Sequence, residues 1–419
     1  MKNPLRYLLA AILVALLAAF VGSGLVTAAG GPNHGTGAFR VLAPIESGHL
    51  LLFPVVRTDG ESPAETPFIT LDEGIKSGEV EVAEAGNLRG LVRPRGTEND
   101  HYFAERRNSV RGDQVNTLVL VNHSKKPLLL LAGEIVTGGK QDRVIAKDRI
   151  VPPDADPIDL SVFCIEPGRW TGASDSFGAS NKSSAESFMV QPSVRINAMA
   201  KKDQQEVWNS VHGTISQMEA VAAPASVGSV SESVTVSGGA IGGTLNTSSY
   251  AQAMNNDAIK TRVDEAAAPA NEDRAKVIEK LREEHAVGVV VAVHGKLIWA
   301  DLFANADLLS RYWTKLVRSY AAESVTETGD HEAPSIADAQ RFLESATTGH
   351  VTSEGDMSVY RYSELHGDAV ETFILESLLP SANYEVHISK MELRDGGESA
   401  WSEGSLPRRP GVAPMEPIQ

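Results

Sequence analysis

The chain has 419 residues, enough for one large domain or two smaller ones with a hydrophobic core. Hydrophobic residues make up 42% of the composition and charged residues 22%, which is typical of a globular protein and not of a disordered one. The formal net charge of −16 at pH 7 argues against a general nucleic-acid-binding protein, because binding the phosphate backbone requires a basic surface.

The N-terminal segment has the features of an export signal. A short basic stretch precedes an apolar run over residues 7–21, and small residues ending at Ala28 fit the small-x-small rule for cleavage. This pattern predicts a signal peptide over residues 1–28, a flexible leader over 29–38 and a periplasmic or secreted mature protein. The alternative is an uncleaved segment that anchors the protein as one transmembrane helix, since a span needs about 20 residues. Membrane contact is expected only in that case.

Cys164 is the only cysteine, so the chain cannot form an internal disulfide. It lies in an apolar, strand-like segment, and no thiolate-stabilising group is adjacent in the sequence. We therefore interpret Cys164 as a buried small apolar residue and not as a nucleophile.

The first half of the chain is predicted to consist mainly of strands joined by tight turns. Apolar runs alternate with turn-forming segments, a pattern that is typical of β-hairpins. The predicted features are a turn at 46–48 between two strands, a helix at 71–77, a strand at 79–83, a turn at 122–126 between two apolar strands, a hairpin turn at 138–139 and a further strand at 158–165.

Helices are concentrated in the second half. Apolar residues recur there at helical spacing, and two further hairpins are predicted to turn at His294-Gly295 and His366-Gly367. Ser335 and Asp338 have the spacing of a helix-capping pair. The helix positions expected to be buried are Met199, Val207, Val211, Ile215, Ile278, Leu281, Leu309, Trp313, Leu316 and Tyr320.

These elements predict an α+β fold, with antiparallel β-hairpin-rich sheets in the first half and helices concentrated in the second half. Strands joined by tight turns, without helical crossovers, argue against a doubly wound parallel sheet. We expect a single domain over residues 39–393, with a Ser/Gly-rich loop at 224–250 and a disordered tail at 394–419.

A dense polar cluster follows an apolar strand in the segment LAGEIVTGGKQDR. Gly138 and Gly139 suit the central positions of a two-residue hairpin turn, because both positions need positive φ. Such a turn would place Glu134 opposite Arg143, at the distance of a cross-strand pair.

The cluster is a candidate site for a small anionic ligand. Backbone N–H groups at a Gly-Gly turn and an arginine side chain can bind a phosphate or carboxylate, and a glutamate can act as a general acid or base. The candidate catalytic residues are Glu134 and Glu166. The candidate ligand-binding residues are Gly138, Gly139, Lys140, Gln141, Asp142, Arg143, Arg169 and Trp170.

The alternative is that the same cluster is structural. An ion pair between Glu134 and Arg143 would then brace the hairpin, and the protein would be a non-catalytic envelope scaffold or interaction module. The 11 histidines show no His-x-His or His-x-x-x-His spacing, so the sequence supports neither a metal site nor a cofactor.

Several segments in a fixed order resemble one protein family. They are TLDEGIKSGEVEVAEAG, LAGEIVTGGKQDR, VFCIEPGRW, QQEVW, GVVVAVHGKLIWADLF and YWTKLVRSYA. This order resembles the ARG and rhodanese-phosphatase-superfamily-associated protein domain family, from about Phe39 to about Leu393. The family is largely uncharacterised, and the resemblance carries over no catalytic residues. Its name implies a link to ADP-ribose or nucleotide-derivative metabolism.

Overall fold

The computed structural model describes residues 39–393 except 60–61, 64, 85–117, 168–176, 179–187, 223–244, 246, 272–273, 330, 346–348, 357 and 368. The predicted signal peptide, the leader and the tail lie outside the described residues, and so do Arg169, Trp170 and most of the predicted loop at 224–250.

The described residues form nineteen strands, eight α-helices and one π-helix. The strands are β1 (Phe39–Val41), β2 (Ile45–Ser47), β3 (Leu50–Arg57), β4 (Ile69–Thr70), β5 (Val80–Glu84), β6 (Leu118–Asn122), β7 (Leu128–Leu130), β8 (Ile135–Gly138), β9 (Arg143–Ile145), β10 (Arg149–Val151), β11 (Ile158–Leu160), β12 (Val162–Cys164), β13 (Phe177–Gly178), β14 (Ala286–Val293), β15 (Lys296–Phe303), β16 (His350–Asp356), β17 (Tyr360–His366), β18 (Val370–Leu379) and β19 (Ala382–Glu392). The helices are α1 (Leu71–Ser77), α2 (Pro192–Ile196), the π-helix (Asn197–Lys201), α3 (Gln204–Ala222), α4 (Tyr250–Met254), α5 (Asp257–Asn271), α6 (Arg274–Glu283), α7 (Ala306–Thr326) and α8 (Ile336–Glu344).

One sheet of nine strands is the largest element of the fold. Its order is β1-β3-β14-β15-β19-β18-β17-β16, and β2 also pairs with β3. All eight residues of β14 are buried, which explains its uninterrupted apolar sequence. The predicted hairpin between β14 and β15 is confirmed, and positive φ at His294 and Gly295 forms its turn. The predicted hairpin between β17 and β18 is confirmed as well.

Three smaller sheets come from the first half of the chain, in the orders β10-β7-β4, β11-β6-β5 and β12-β9-β8-β13. Among the pairings of the described strands, only β4 with β7 is parallel. The strand predicted at 158–165 is two short strands, because β11 pairs with β6 whereas β12 pairs with β9 of another sheet.

Helix α7 is the central helix of the core. Its residues Leu309, Trp313, Leu316 and Tyr320 are buried as predicted, and so are Met199 and the α3 positions Val207, Val211 and Ile215. Leu281 of α6 is buried, whereas Ile278 is only partly buried against the core. Helix α5, which was not among the predicted elements, packs against α7. The fold is therefore α+β, as the sequence predicts.

Polar caps define where two helices begin. Thr70 and Glu73 form a reciprocal capping box at the start of α1, and Ser335 and Asp338 form the predicted one at the start of α8. The predicted helix at 71–77 is thereby confirmed with its bounds. None of the described helices is both long enough and apolar enough to cross a bilayer.

Candidate functional site

The hairpin of β8 and β9 has a different register from the predicted one. Val136 lies opposite Arg143, so the predicted pairing of Glu134 with Arg143 is wrong. Asp142 accepts a hydrogen bond from the Gly138 N–H at 3.1 Å, which supports a connection longer than two residues. The end of β8 pairs instead with β13, where Gly138 lies opposite Phe177.

Glu134 is buried in an ion-pair cluster with a helix from the second half of the chain. Its Oε1 lies 2.6 Å from the Nζ of Lys315 in α7, and its Oε2 accepts the Leu131 N–H at 2.7 Å. Lys315 also lies 2.5 Å from Oδ2 of Asp72, in the first turn of α1. The side chains of Glu134 and Lys315 are only 1% and 5% exposed. Neither Lys315 nor Asp72 was predicted from the sequence as a partner in this cluster.

Opposing effects set the charge states in this cluster. Burial raises the pKa of the Glu134 carboxyl, and the positive charge of Lys315 offsets part of that rise. Burial also disfavours the charge on Lys315, but the carboxylates of Glu134 and Asp72 raise its pKa above its ordinary value. The arrangement is that of a stabilising ion pair closed off from solvent, and it gives a substrate no direct access to the Glu134 carboxyl.

Glu166 belongs to a second group of buried contacts. Its Oε2 accepts the Asp142 N–H at 3.1 Å, and Asp142 also accepts a hydrogen bond from the Ser249 hydroxyl at 3.0 Å. Arg143 is fully buried and donates to the backbone oxygen of Gln141 at 2.7 Å. The fold thus brings Glu166, Asp142, Gln141 and Arg143 together, whereas the contacts of Glu134 are with Lys315 and the backbone.

The glycine turn is tightly packed. Gly139 has a φ of +53°, and a Cβ there would come within 2.6 Å of two atoms of the Phe177 ring. The Lys140 N–H donates to Oε1 of Glu84 at 2.8 Å, and the Lys140 side chain is partly exposed. The candidate residues at this turn are therefore largely engaged in contacts within the protein.

A further buried charge network lies between the large sheet and α2. Arg195 binds Asp301 through Nη1–Oδ2 and Nη2–Oδ1 contacts of 2.9 and 3.3 Å, and its guanidinium stacks 4.4 Å from the Trp299 ring centroid. Both charged side chains are 0% exposed. The hydroxyls of Ser389 and Tyr320 also donate to Asp301.

His387 joins two aspartates of this network. Its Nδ1 lies 2.6 Å from Oδ2 of Asp148, and its Nε2 lies 3.2 Å from Oδ1 of Asp301. Burial disfavours the imidazolium, but the two carboxylates raise the pKa of His387 to about 9. Burial alone would raise the pKa of Asp301, but Arg195 and His387 hold it well below its ordinary value. Asp301 is the charged residue in the otherwise apolar segment LIWADLF. Its position was the signal in the sequence that could have indicated this network.

We expect the protein to lose stability as the pH rises through about 9. The ordinary pKa of histidine is 6.5, so the raised value for His387 contributes stability that is complete below pH 6.5 and lost above pH 9, on the order of 3 kcal/mol. The free energy of urea unfolding between pH 6 and pH 8 measures the onset of this loss, because the pKa of Lys390, which burial lowers to about 8, changes stability in the opposite direction at higher pH. His366, between Glu364 and Glu371, also has a pKa of about 9. A His366→Gln variant removes the contribution of His366 to the loss of stability. Stability that is flat over this range in the His366→Gln protein would contradict the assignment to His387.

An open cleft lies at the N-terminus of α7. It has a volume of about 1180 Å³ and includes Asn305, the N-cap residue of the helix. Its lining includes four basic side chains and three acidic ones, namely Arg57, Lys126, Arg282 and Arg311 with Glu65, Glu73 and Asp307. A helix N-terminus carries partial positive charge, so both the helix and the basic side chains favour an anion there.

The cleft and the buried Glu134 cluster are two layers of one contact between α1 and α7. In the outer layer Arg311 binds Glu73, and in the inner layer Lys315, one turn further along α7, binds Asp72. Arg311 also donates to the Phe68 carbonyl at 2.9 Å, which fixes the chain segment that forms one wall of the cleft. Asn305 holds the same segment through a 2.7 Å bond to the Pro63 carbonyl.

The basic groups of the cleft differ in how far they are neutralised. Arg282 pairs with Asp307 at 3.2 Å and Arg57 with Asp59 at 3.9 Å, whereas Lys126 forms no ion pair with any residue that the structure describes. Within the described ranges, no group of three or more His, Cys, Asp or Glu side chains is arranged to hold a metal ion. The cleft thus contains two exposed cations, Arg282 and Lys126, in a protein with a net charge of −16.

One family model matches this chain. It is described as the ARG and Rhodanese-Phosphatase-superfamily-associated Protein domain, and the match covers residues 38–391. Comparison with curated proteins and with solved structures gives no match.

Proposed function

We propose that this chain, which belongs to the ARG and Rhodanese-Phosphatase-superfamily-associated Protein domain family, is an exported domain that binds a small anionic ligand in the cleft at the N-terminus of α7. The observation that carries the proposal is the set of basic side chains around that helix end, of which Arg282 and Lys126 are exposed. The family name supports ADP-ribose and nucleotides as the first ligands to test.

Charge and geometry support an anion of modest size. Arg282 is about half exposed, so its guanidinium can turn from Asp307 towards a ligand at little cost. Arginine can bind a phosphate or carboxylate through two parallel hydrogen bonds, and the N–H groups of the first helical turn that the Asn305 cap does not use can add further bonds. Glu65, Glu73 and Asp307 would repel a highly charged ligand, which favours one or two negative charges.

Binding is better supported than hydrolysis at the candidate carboxylates. Glu134 is paired with Lys315 inside the protein, and Glu166 accepts a backbone N–H. A general acid or base must reach the proton that it transfers, and both carboxylates are at least 97% buried. If no ligand binds, the burial of Glu134 and Glu166 favours the alternative function, a non-catalytic envelope scaffold.

Export is supported by the N-terminal sequence. The basic residues, the apolar run and the small residues up to Ala28 form the pattern of a cleaved signal, and a periplasmic or secreted location follows from it. Mass spectrometry of the protein recovered from the cell envelope tests this part of the proposal. A mature N-terminus near Ala29 would support it, and an intact Met1 in the cytoplasm would contradict it.

A ligand is expected to raise the melting temperature of the mature protein. At about a hundred times its dissociation constant a ligand adds about 2.7 kcal/mol of stability, which corresponds to roughly 3–5 °C for a domain of this size. The panel comprises ADP-ribose, nucleotides, sugar phosphates and dicarboxylates, measured by thermal unfolding and then by calorimetry. Binding should weaken as salt is added, because the cations are exposed.

Arg282→Ala is the test variant and Arg361→Ala its matched control. Both arginines are about half exposed, and each pairs with one carboxylate, but Arg361 pairs with Glu376 on the large sheet outside the cleft. Loss of one charge-assisted contact should weaken binding about 10- to 100-fold in Arg282→Ala only. Equal loss in both variants, or no shift with any ligand, would contradict the cleft as the site.

A further inference from the structure

The turn between β6 and β7 presents an exposed lysine to the cleft from a rigid backbone. Asn122 donates from Nδ2 to the Lys126 carbonyl at 2.9 Å and accepts the Ser124 N–H at 3.1 Å. The Ser124 hydroxyl oxygen accepts the Lys126 N–H at 3.2 Å. Asn122 and Ser124 are buried, whereas Lys126 is exposed and lines the cleft. Buried polar groups therefore fix the backbone of Lys126 before any ligand binds, which lowers the cost of ordering this part of a binding site.

Two adjacent lysines of this turn differ in their partners. The Nζ of Lys125 lies 2.9 Å from Oδ2 of Asp154, and neither of these residues lines the cleft. Lys126 forms no ion pair within the part of the chain that the structure describes. Of the two lysines, Lys126 is thus the one whose charge is available to a ligand in the cleft.

Lys126 and Arg282 are attached to different walls of the cleft. Arg282 of α6 is held at the first turn of α7, where its Nη2 lies 3.2 Å from Oδ1 of Asp307. Lys126 precedes Pro127, whose carbonyl accepts the N–H of Ile69 in β4 at 2.9 Å. One exposed cation therefore lies beside α7, and the other lies beside β4.

Arg311 joins these two walls without adding a further available charge. It lies in the second turn of α7 and donates to the carbonyl of Phe68, directly before β4, at 2.9 Å. Its charge is compensated by Glu73, which accepts a hydrogen bond from its Nε at 2.9 Å. An anionic group bound at Arg282 therefore leaves Lys126 for a second anionic group.

We propose that the cleft binds a linear dicarboxylate, with one carboxylate at Arg282 and the first turn of α7 and the other at Lys126. This inference rests on the proposed function and adds the chemical class of the ligand. Each wall offers one exposed cation, which suits a carboxylate with one charge better than a phosphate with about two. The three acidic side chains of the lining oppose the higher charge of a bisphosphate.

The size of the cleft also suits a ligand that extends from one wall to the other. Its volume of about 1180 Å³ lies above the range of roughly 300–1,000 Å³ that is usual for small-molecule sites. A ligand with both charges at one end would occupy only part of this space.

Calorimetry with the full mature protein tests the inference, using linear dicarboxylates from succinate to suberate and the monoamide of each. The monoamide keeps the length and polarity of the dicarboxylate but loses one charge. At the length that matches the cleft, the dicarboxylate should bind the wild type about 10- to 100-fold more tightly than its monoamide, because the monoamide lacks one charge-assisted hydrogen bond. In Lys126→Met this advantage should fall to about 2-fold or less, whereas Lys126→Arg should retain most of it.

Lys125→Met is the matched control. It removes the same charge from the neighbouring position of the same turn, outside the cleft, so the advantage of the dicarboxylate should remain. The melting temperature of Lys126→Met without ligand should stay close to that of the wild type, since an exposed side chain without an ion pair contributes little to stability. A loss of binding in Lys126→Met would then reflect the lost contact and not an altered fold.

The outcomes separate this inference from the proposed function. Equal affinity for the dicarboxylates and their monoamides, or equal effects of Lys125→Met and Lys126→Met, would overturn the inference. Binding of nucleotides but of no dicarboxylate would also overturn it, and an effect of Arg282→Ala on that binding would leave the anion cleft in place. If no ligand of either class bound, the proposed function would be contradicted and the inference with it.

Discussion

Arg195→Met is expected to lower the free energy of unfolding by about 3–5 kcal/mol, because it leaves a buried carboxylate without its main partner. Asp301 is 0% exposed and receives two hydrogen bonds from Arg195, so the variant must either keep a poorly compensated charge or protonate it. Methionine also loses the stacking of the guanidinium over Trp299. Urea unfolding at pH 7 measures the change.

The matched control for this prediction is Arg361→Met. Arg361 also pairs with one carboxylate, that of Glu376, but its side chain is 43% exposed. Solvent screens such a pair, so its loss should cost at most about 1 kcal/mol. Arg195→Lys should recover only part of the stability, because lysine cannot form two parallel bonds. Similar losses for Arg195→Met and Arg361→Met would show that the buried pair is not a main determinant of stability.

Lys315→Met is expected to cost a similar amount, about 3–5 kcal/mol at neutral pH, because Glu134 would be left buried and unpaired. The Glu134 carboxylate is 1% exposed, whereas Asp72, the other partner of Lys315, is 33% exposed and can be hydrated. The cost should therefore arise mainly from Glu134. Chemical unfolding of the variant and the wild type gives the difference.

A double-mutant cycle with Glu134→Gln distinguishes this explanation from simple loss of packing. The double variant has no buried charge at this point, so it should be more stable than Lys315→Met alone. Burial already raises the pKa of Glu134 in the wild type, and removal of the Lys315 charge raises it further. The loss should therefore be small at acid pH, where Glu134 is protonated in both proteins, and grow as the pH increases. Additive effects and no pH dependence would contradict the ion-pair account.

The cluster of Glu134, Lys315 and Asp72 lies next to the proposed ligand cleft, so its loss should affect ligand binding as well as stability. Asp72 and Glu73 are adjacent in α1, and their partners Lys315 and Arg311 are one turn apart in α7. Loss of the inner pair should loosen α1 and with it the outer pair that supports the cleft wall. Weaker ligand binding in Lys315→Met, measured where the variant is still folded, would be the expected consequence.

Local sequence patterns determined much of the secondary structure. The hairpin turn at His294-Gly295, the helix Leu71–Ser77 and the capping pair Ser335–Asp338 were predictable, because neighbouring residues decide turns and caps. The buried stripe of α7 was predictable from its helical period. Helix α5 was not predicted. The range 158–165 was predicted as one strand, because strand partners distant in the sequence decide where β11 and β12 end.

The partners of the charged residues were decided only by the tertiary structure. The sequence showed that Glu134 follows an apolar strand, and the simplest local partner was Arg143. The actual partner, Lys315, is 181 residues away, and Arg195 and Asp301 are 106 residues apart. A buried charge is tolerated only beside an opposite charge, and packing of distant elements decides which one is within reach. The sequence by itself thus determined the family resemblance, the α+β class and the polar segment, whereas the tertiary structure decided which partners the buried charges of that segment have.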